Sequence, residues 1–188
     1  MTTTAAVGLA EEVERRVGGE SPFVTLRIAT DDARADVIRE LEAAVFPGID
    51  AFLSPEVEQF CHFLVIVDLR PDVRRIVHCV RISGPQFAPG VQPADGTTGI
   101  VMVDELIGSG QGLTAEEFQR YYAGRGVDAT SLIGVETNFR VGDREADHEG
   151  LRSADMAYLA LFALVLRLGS DGVCAHINEP ARKSFDRV

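Results

Sequence analysis

The sequence predicts an α/β domain of the layered α+β kind, a sheet flanked by helices. Three observations carry this. Short runs rich in Val, Ile and Phe alternate with longer segments of helical periodicity. Two of those runs, 62–68 and 74–82, are separated only by a turn, which makes them a hairpin. Residues 153–168 are apolar nearly all round, as expected of a helix buried between layers. A chain of 188 residues that is 46% hydrophobic is enough for one domain with a sizeable core.

Each element follows from local signals. Residues 1–20 are polar and end in Gly18-Gly19, so a flexible tail is expected ahead of a single domain at 21–188. Alternation over 24–29 reads as the first strand. Thr30 or Asp31 is placed to cap a helix whose buried stripe would be Val37, Ile38, Leu41, Ala44 and Val45. Pro47-Gly48 ends it, and Ser54-Pro55 opens a short helical turn through Glu58. The hairpin 62–82 turns at Arg70-Pro71-Asp72. Residues 84–99 hold three Pro and four Gly, which makes them a long loop, and 97–102 reads as the approach to a buried strand. Thr114-Ala115-Glu116-Glu117 is a capping box that opens a helix to Ala123, and Gly124-Arg125-Gly126 stops it. A fourth strand is expected over 132–141, then a charged loop to Gly150 and the apolar helix, which Gly169 and Gly172 end. A fifth strand over 173–177 precedes a last helix with Pro180 in its first turn and Asn178 or Glu179 as cap.

Composition excludes some functions. A formal net charge of −11 argues against nucleic acid and against anionic membrane surfaces as partners. The three cysteines, Cys61, Cys79 and Cys174, are odd in number and have no metal-binding spacing, so reduced thiols are expected. The four histidines show no ligand spacing either, and no metal is expected. The N-terminus has no signal-peptide pattern. The longest apolar run, 157–166, falls short of the roughly 20 residues of a membrane span. Together these predict a soluble, cytoplasmic protein.

The informative residues are charges inside strands. Arg81 lies in Val77-His78-Cys79-Val80-Arg81-Ile82, and Glu136 and Arg140 lie in Gly134-Val135-Glu136-Thr137-Asn138-Phe139-Arg140-Val141. A buried charge is costly unless it has a partner. By alternation Arg75, Val77, Cys79 and Arg81 share one face of the third strand. Glu136, Asn138 and Arg140 share a face of the fourth, unless a bulge changes the assignment. That polar face is either solvent-exposed, as on many antiparallel sheets, or a ligand site. Glu136 is either a proton acceptor or half of an ion pair with Arg81 or Arg140.

These pieces, with Val45-Phe46 and Thr97-Thr98-Gly99-Ile100-Val101-Met102, fall in an order that resembles the Gcn5-related N-acyltransferase (GNAT) superfamily. Within it they are most similar to acyl-homoserine-lactone (autoinducer) synthases and N-acyl amino acid synthases. The resemblance covers about residues 36–187. It implies a mixed, mostly antiparallel sheet flanked by helices, whose last two strands in the superfamily are either missing after Val188 or replaced by a different completion of the sheet. It implies an N-acyltransferase that moves an acyl group from a thioester, on coenzyme A or acyl-carrier protein, to a small-molecule amine acceptor. Glu136 would be the base, with Arg81 and Arg140 orienting the acceptor. Ser153, Arg152 and Arg144, around the start of the apolar helix, would contact the phosphate end of the donor. The expected partners are the amine and a carrier protein or coenzyme A, with room for a homodimer. The family's acid pair before the second strand is reduced here to Glu58 in Glu58-Gln59-Phe60-Cys61. That favours the rival expectation, a non-catalytic relative that binds a ligand or partner.

Overall fold

The structure, a computed structural model, describes residues 22–48, 53–70, 75–110, 112–142, 147–148 and 150–175. Strands β1 (Phe23–Ala29), β2 (Cys61–Asp68), β3 (Arg75–Ser83) and β4 (Ile133–Arg140) form an antiparallel meander. The short β7 (Val173–Ala175) joins the far edge parallel to β4, so the sheet order is β1-β2-β3-β4-β7. Two-residue strands β5 (Asp147–His148) and β6 (Leu151–Arg152) pair across Gly150, where the expected charged loop ends. The helices are α1 (Ala35–Val45), α2 (Pro55–Glu58), α3 (Val101–Gly108), α4 (Ala115–Ala123) and α5 (Ser153–Leu168). This is the mixed, mostly antiparallel α+β layering that the sequence predicts.

The sheet is covered on both faces. On one, α1 packs Ala35, Ile38 and Leu41 against Ile28, Phe63, Val65, Cys79 and Phe139. On the other, α5 packs Ala157, Leu161 and Leu164 against Leu64, Ile66, Val80, Ile82 and Ile133. A third cluster joins Ile100, just before α3, and Val103 of α3 to Phe118 of α4 and to Leu132. With both faces covered, β2 and β3 are buried along almost their whole length, which is why they read as continuous apolar runs.

Several sequence expectations are corrected. Thr30 and Asp31 do not cap α1, which starts at Ala35 with Arg34 at its cap position and no side-chain cap bond. The Thr30 hydroxyl instead donates to the carbonyls of Glu58 at 2.6 Å and Cys61 at 3.1 Å. The buried stripe of α1 holds Arg39 and Glu42, whereas Ala44 and Val45 are exposed. The run after Gly99 is a helix, not a strand approach. Its start is held by non-local caps: Val101 N–H donates to Ser83 Oγ and Met102 N–H to Glu136 Oε2. No local pattern reveals such partners.

The helix α5 spans the expected residues but is buried on one side only. Leu159, Phe162 and Leu166 are 56%, 54% and 83% exposed, so an apolar strip faces outward. The tail 1–20, the turn at Pro71-Asp72, the end of the fifth strand and the helix at Pro180 lie outside the described residues. Among the described residues no helix is long and apolar enough to cross a membrane.

Candidate functional site

Two β-bulges decide which residues meet. In the β2–β3 pairing, Ile66 faces His78 and Val67 faces Ile76, so Val77 is the extra residue. Val77 therefore packs with the α5 cluster, and Ile76 joins Cys79 on the α1 side. The expected face of Arg75, Val77, Cys79 and Arg81 is not formed. In the β3–β4 pairing, Arg81 faces Thr137 and Ile82 faces Val135, which leaves Glu136 as the extra residue. A bulge breaks the alternation of faces. Glu136 reaches Ser83 and the start of α3, and its neighbour Thr137 reaches Glu42 of α1. Asn138 instead bonds the His78 ring, whose other nitrogen lies 3.2 Å from Ser153 Oγ at the start of α5. Glu136 and Asn138 therefore do not share a face, contrary to simple alternation.

On the α1 side, Arg81 is ion-paired with Glu42, and the Thr137 hydroxyl donates to the other Glu42 oxygen. Both charges are buried, Glu42 completely. The guanidinium lies 5.3 Å from the Phe63 ring centroid. The ion-pair partner of Arg81 is thus Glu42, and not Glu136 as the strand pattern suggested. A signal for Glu42 exists in the sequence: it stands four residues after Ile38, on the apolar stripe, where an acid needs a buried counter-charge.

Beside this pair, Ser83 donates to Glu136 Oε1, and Met102 N–H donates to Oε2 at 2.8 Å. Burial pushes the Glu136 carboxyl up to about 7, against the Ser83 and Met102 hydrogen bonds that lower it; Glu105 adds to the rise and Arg81 opposes it. Gly134 makes the approach possible. A Cβ there would stand 2.5 Å from Ile100 Cγ2, 2.7 Å from Glu136 Oε1 and 2.8 Å from Ser83 Oγ. The buried Cys61 thiol is within electrostatic reach of Glu136, Arg81, Glu58 and Glu42, and burial first, then Glu136, pushes it up to about 12. Such a thiol is a small apolar filler and not a nucleophile.

The remaining expected site residues lie elsewhere. Arg140 is exposed near the end of β4, opposite His78. Ser153 is fully buried, with its hydroxyl turned to His78. Arg152 is largely exposed and ion-paired with Asp155, closing a capping arrangement at the start of α5. Arg144 lies outside the described residues. Tyr158, a half-buried residue that the strand reading passed over, hydrogen-bonds Asn138, and burial pushes its hydroxyl up.

A cleft of about 400 Å³ opens at the end of β1 and the start of β2. Thr30, Asp31, Glu58, Gln59 and His62 give it polar walls, and Phe87, Ala88, Pro89 and Val91 an apolar one. Its volume is in the range of small-molecule sites. Glu58 is held from behind by Arg39, with contacts of 3.1 and 2.9 Å. The His62 ring stacks on Phe87 at 4.7 Å and is kept neutral: burial first, then Arg27, lowers it to about 4 against Asp31. Arg81 and Glu136 do not line this cleft. Among the described residues no group of three or more His, Cys, Asp or Glu is gathered to hold a metal ion. Comparison of the chain with protein-family models, curated proteins and solved structures found no match.

Proposed function

We propose that this protein is an N-acyltransferase of the GNAT kind, moving an acyl group from a thioester of coenzyme A or acyl-carrier protein to an amine. The observation that carries the reading is Glu136: a carboxylate that a bulge of β4 turns toward Ser83 and Met102, and that its partial burial pushes up to about 7. A general base works best when its pKa lies near the working pH. In the reaction the amine nitrogen attacks the thioester carbonyl and gives its proton to Glu136. The C–S bond then breaks, and the departing thiolate takes that proton from Glu136, which restores the carboxylate. Proton transfer of this kind is typically worth about 10²–10⁴-fold.

In this reading the cleft, with Asp31 on its wall, takes a positively charged end of the acceptor other than the nitrogen that reacts. Arg81 acts from behind the site, since its guanidinium is paired with Glu42. Arg140, on the exposed end of β4, and Arg152, at the start of α5, would meet the donor, and the resemblance gives the same part to Arg144. Ser153 supports that turn through His78, so phosphate contact falls to the arginines. Incubation with an acyl-CoA and a panel of amines should release thiol, and Glu136→Gln should slow the release by 10²-fold or more. Absence of release with every donor and amine, or unchanged release in Glu136→Gln, refutes the mechanism.

A specific observation favours the second reading, a ligand-binding relative without turnover. Both Glu136 oxygens are already engaged, one by the Ser83 hydroxyl and the other by Met102 N–H at the start of α3, and the cleft is lined by other residues. A ligand that raises the melting temperature without thiol release would support it.

A further inference from the structure

We propose that Ser83 is the positioning residue for Glu136, holding its carboxylate through a hydroxyl whose proton has one place to go. The word "base" here rests on the acyl-transfer reading; the hold on the carboxylate does not. Ser83 ends β3 and is completely buried. Its oxygen accepts the Val101 N–H at 3.0 Å. A hydroxyl carries one proton. With the Val101 N–H on the acceptor side, that proton is directed at Glu136 Oε1. Met102 N–H holds Oε2. Val101 and Met102 are the first two residues of α3, so one serine ties the carboxylate and the helix start together.

The groups around Glu136 leave Ser83 as its main side-chain donor. Glu105 of α3 adds negative charge, and the buried Cys61 of β2 and the half-buried Cys174 of β7 are thiols within electrostatic reach. Arg81 of β3 is the cation that acts on Glu136, and its guanidinium is paired with Glu42. The Ser83 hydroxyl stabilises the charged form of the acid, so its removal leaves burial less opposed. The serine thereby sets both where the carboxylate points and the pH at which it loses its proton.

The test follows the Glu136 side-chain carboxyl by ¹³C NMR titration in the intact chain, with Glu136→Gln used to assign the signal. The wild-type midpoint is expected near 7. In Ser83→Ala it should rise by about one pH unit, since a hydrogen bond to a charged group is worth about that much. Ser83→Thr, which keeps the hydroxyl, should bring it back. A folded Ser83→Ala protein with an unmoved midpoint overturns the proposal. Should Ser83→Ala fail to fold, Ser83→Cys replaces it, because a thiol is a weaker donor. Its midpoint should lie above that of Ser83→Thr, and coincident midpoints overturn the proposal. Thiol release measured beside the titration separates the two ideas: loss of the acyl-transfer reading shows as no turnover in wild type, whereas the titration alone decides the role of Ser83.

Discussion

Replacing Arg81 by methionine should destabilise the protein by about 3–5 kcal/mol, because it strands a buried charge. The Glu42 side chain is 0% exposed and that of Arg81 4%. Without the guanidinium, Glu42 keeps only the Thr137 hydroxyl, a neutral donor. Methionine fills much of the volume of the arginine stem over Phe63, so the loss is mainly electrostatic. Glu42→Leu alone should be costly for the mirror-image reason, an arginine left in an apolar layer. The double variant Arg81→Met with Glu42→Leu should recover most of the loss, since well-packed apolar side chains replace a buried ion pair at little or no cost. The two sites would then show a coupling of several kcal/mol in a double-mutant cycle. Urea unfolding followed by circular dichroism, with the dependence on urea checked to be constant, measures all four proteins. Costs below about 1 kcal/mol for Arg81→Met, or single-variant costs that simply add, would refute the buried-pair argument. Thiol release from a stable double variant would further show that Arg81 holds the fold and does not handle substrate.

Three other outcomes are expected. Because burial raises Glu136 to about 7, the native state holds a proton that the unfolded chain has already released above its ordinary value of 4.5. Stability should therefore fall as pH rises from 4.5 through 7, and relative to Glu136→Gln, which cannot titrate, the fall should be about 3 kcal/mol; a pH-independent difference in unfolding free energy would count against it. Gly134→Ala should cost about 1–3 kcal/mol by overpacking, because the new Cβ meets Ile100, Ser83 and Glu136 below 3.0 Å, and thermal melts measure it. On α5, Leu166→Glu should change stability by less than about 0.5 kcal/mol, whereas Leu161→Ala on the buried face should cost about 2–5 kcal/mol; equal effects in chemical unfolding would mean that the outward strip is covered.

The strands and most helices were legible because their signals are local. The apolar runs of β2 and β3, the Thr114 capping box and the glycine that ends α5 in a left-handed conformation each act within a few residues. The helix α3 was hidden because its caps come from Ser83 and Glu136, 18 and 34 residues away in sequence. The same distance problem hid the partner of Arg81. A strand pattern points to charges on neighbouring strands, but Glu42 arrives from a helix on the sheet face. The apolar circumference of α5 was readable, yet composition alone does not tell an inner face from an outer one. Alternation misassigned Glu136 because a bulge adds a residue without leaving a mark that a single sequence displays.

The bulge also explains how two acids on one side of a sheet, Glu42 buried and Glu136 half-buried, take different roles. Had β4 kept its register through Thr137, Glu136 would have pointed away from the face that Thr137 presents to Glu42. The extra residue lets both side chains act on that side, one toward α1 and the other toward α3. Glu42 then meets Arg81 and serves as a fixed counter-charge, whereas Glu136 meets only neutral donors at hydrogen-bond distance. Glu136, set among a hydroxyl and a backbone amide and pushed up to about 7 by burial, is free to change charge near neutral pH. The separation of these two carboxylates, and not the mere presence of charge on the strands, makes Glu136 the group suited to accept a proton.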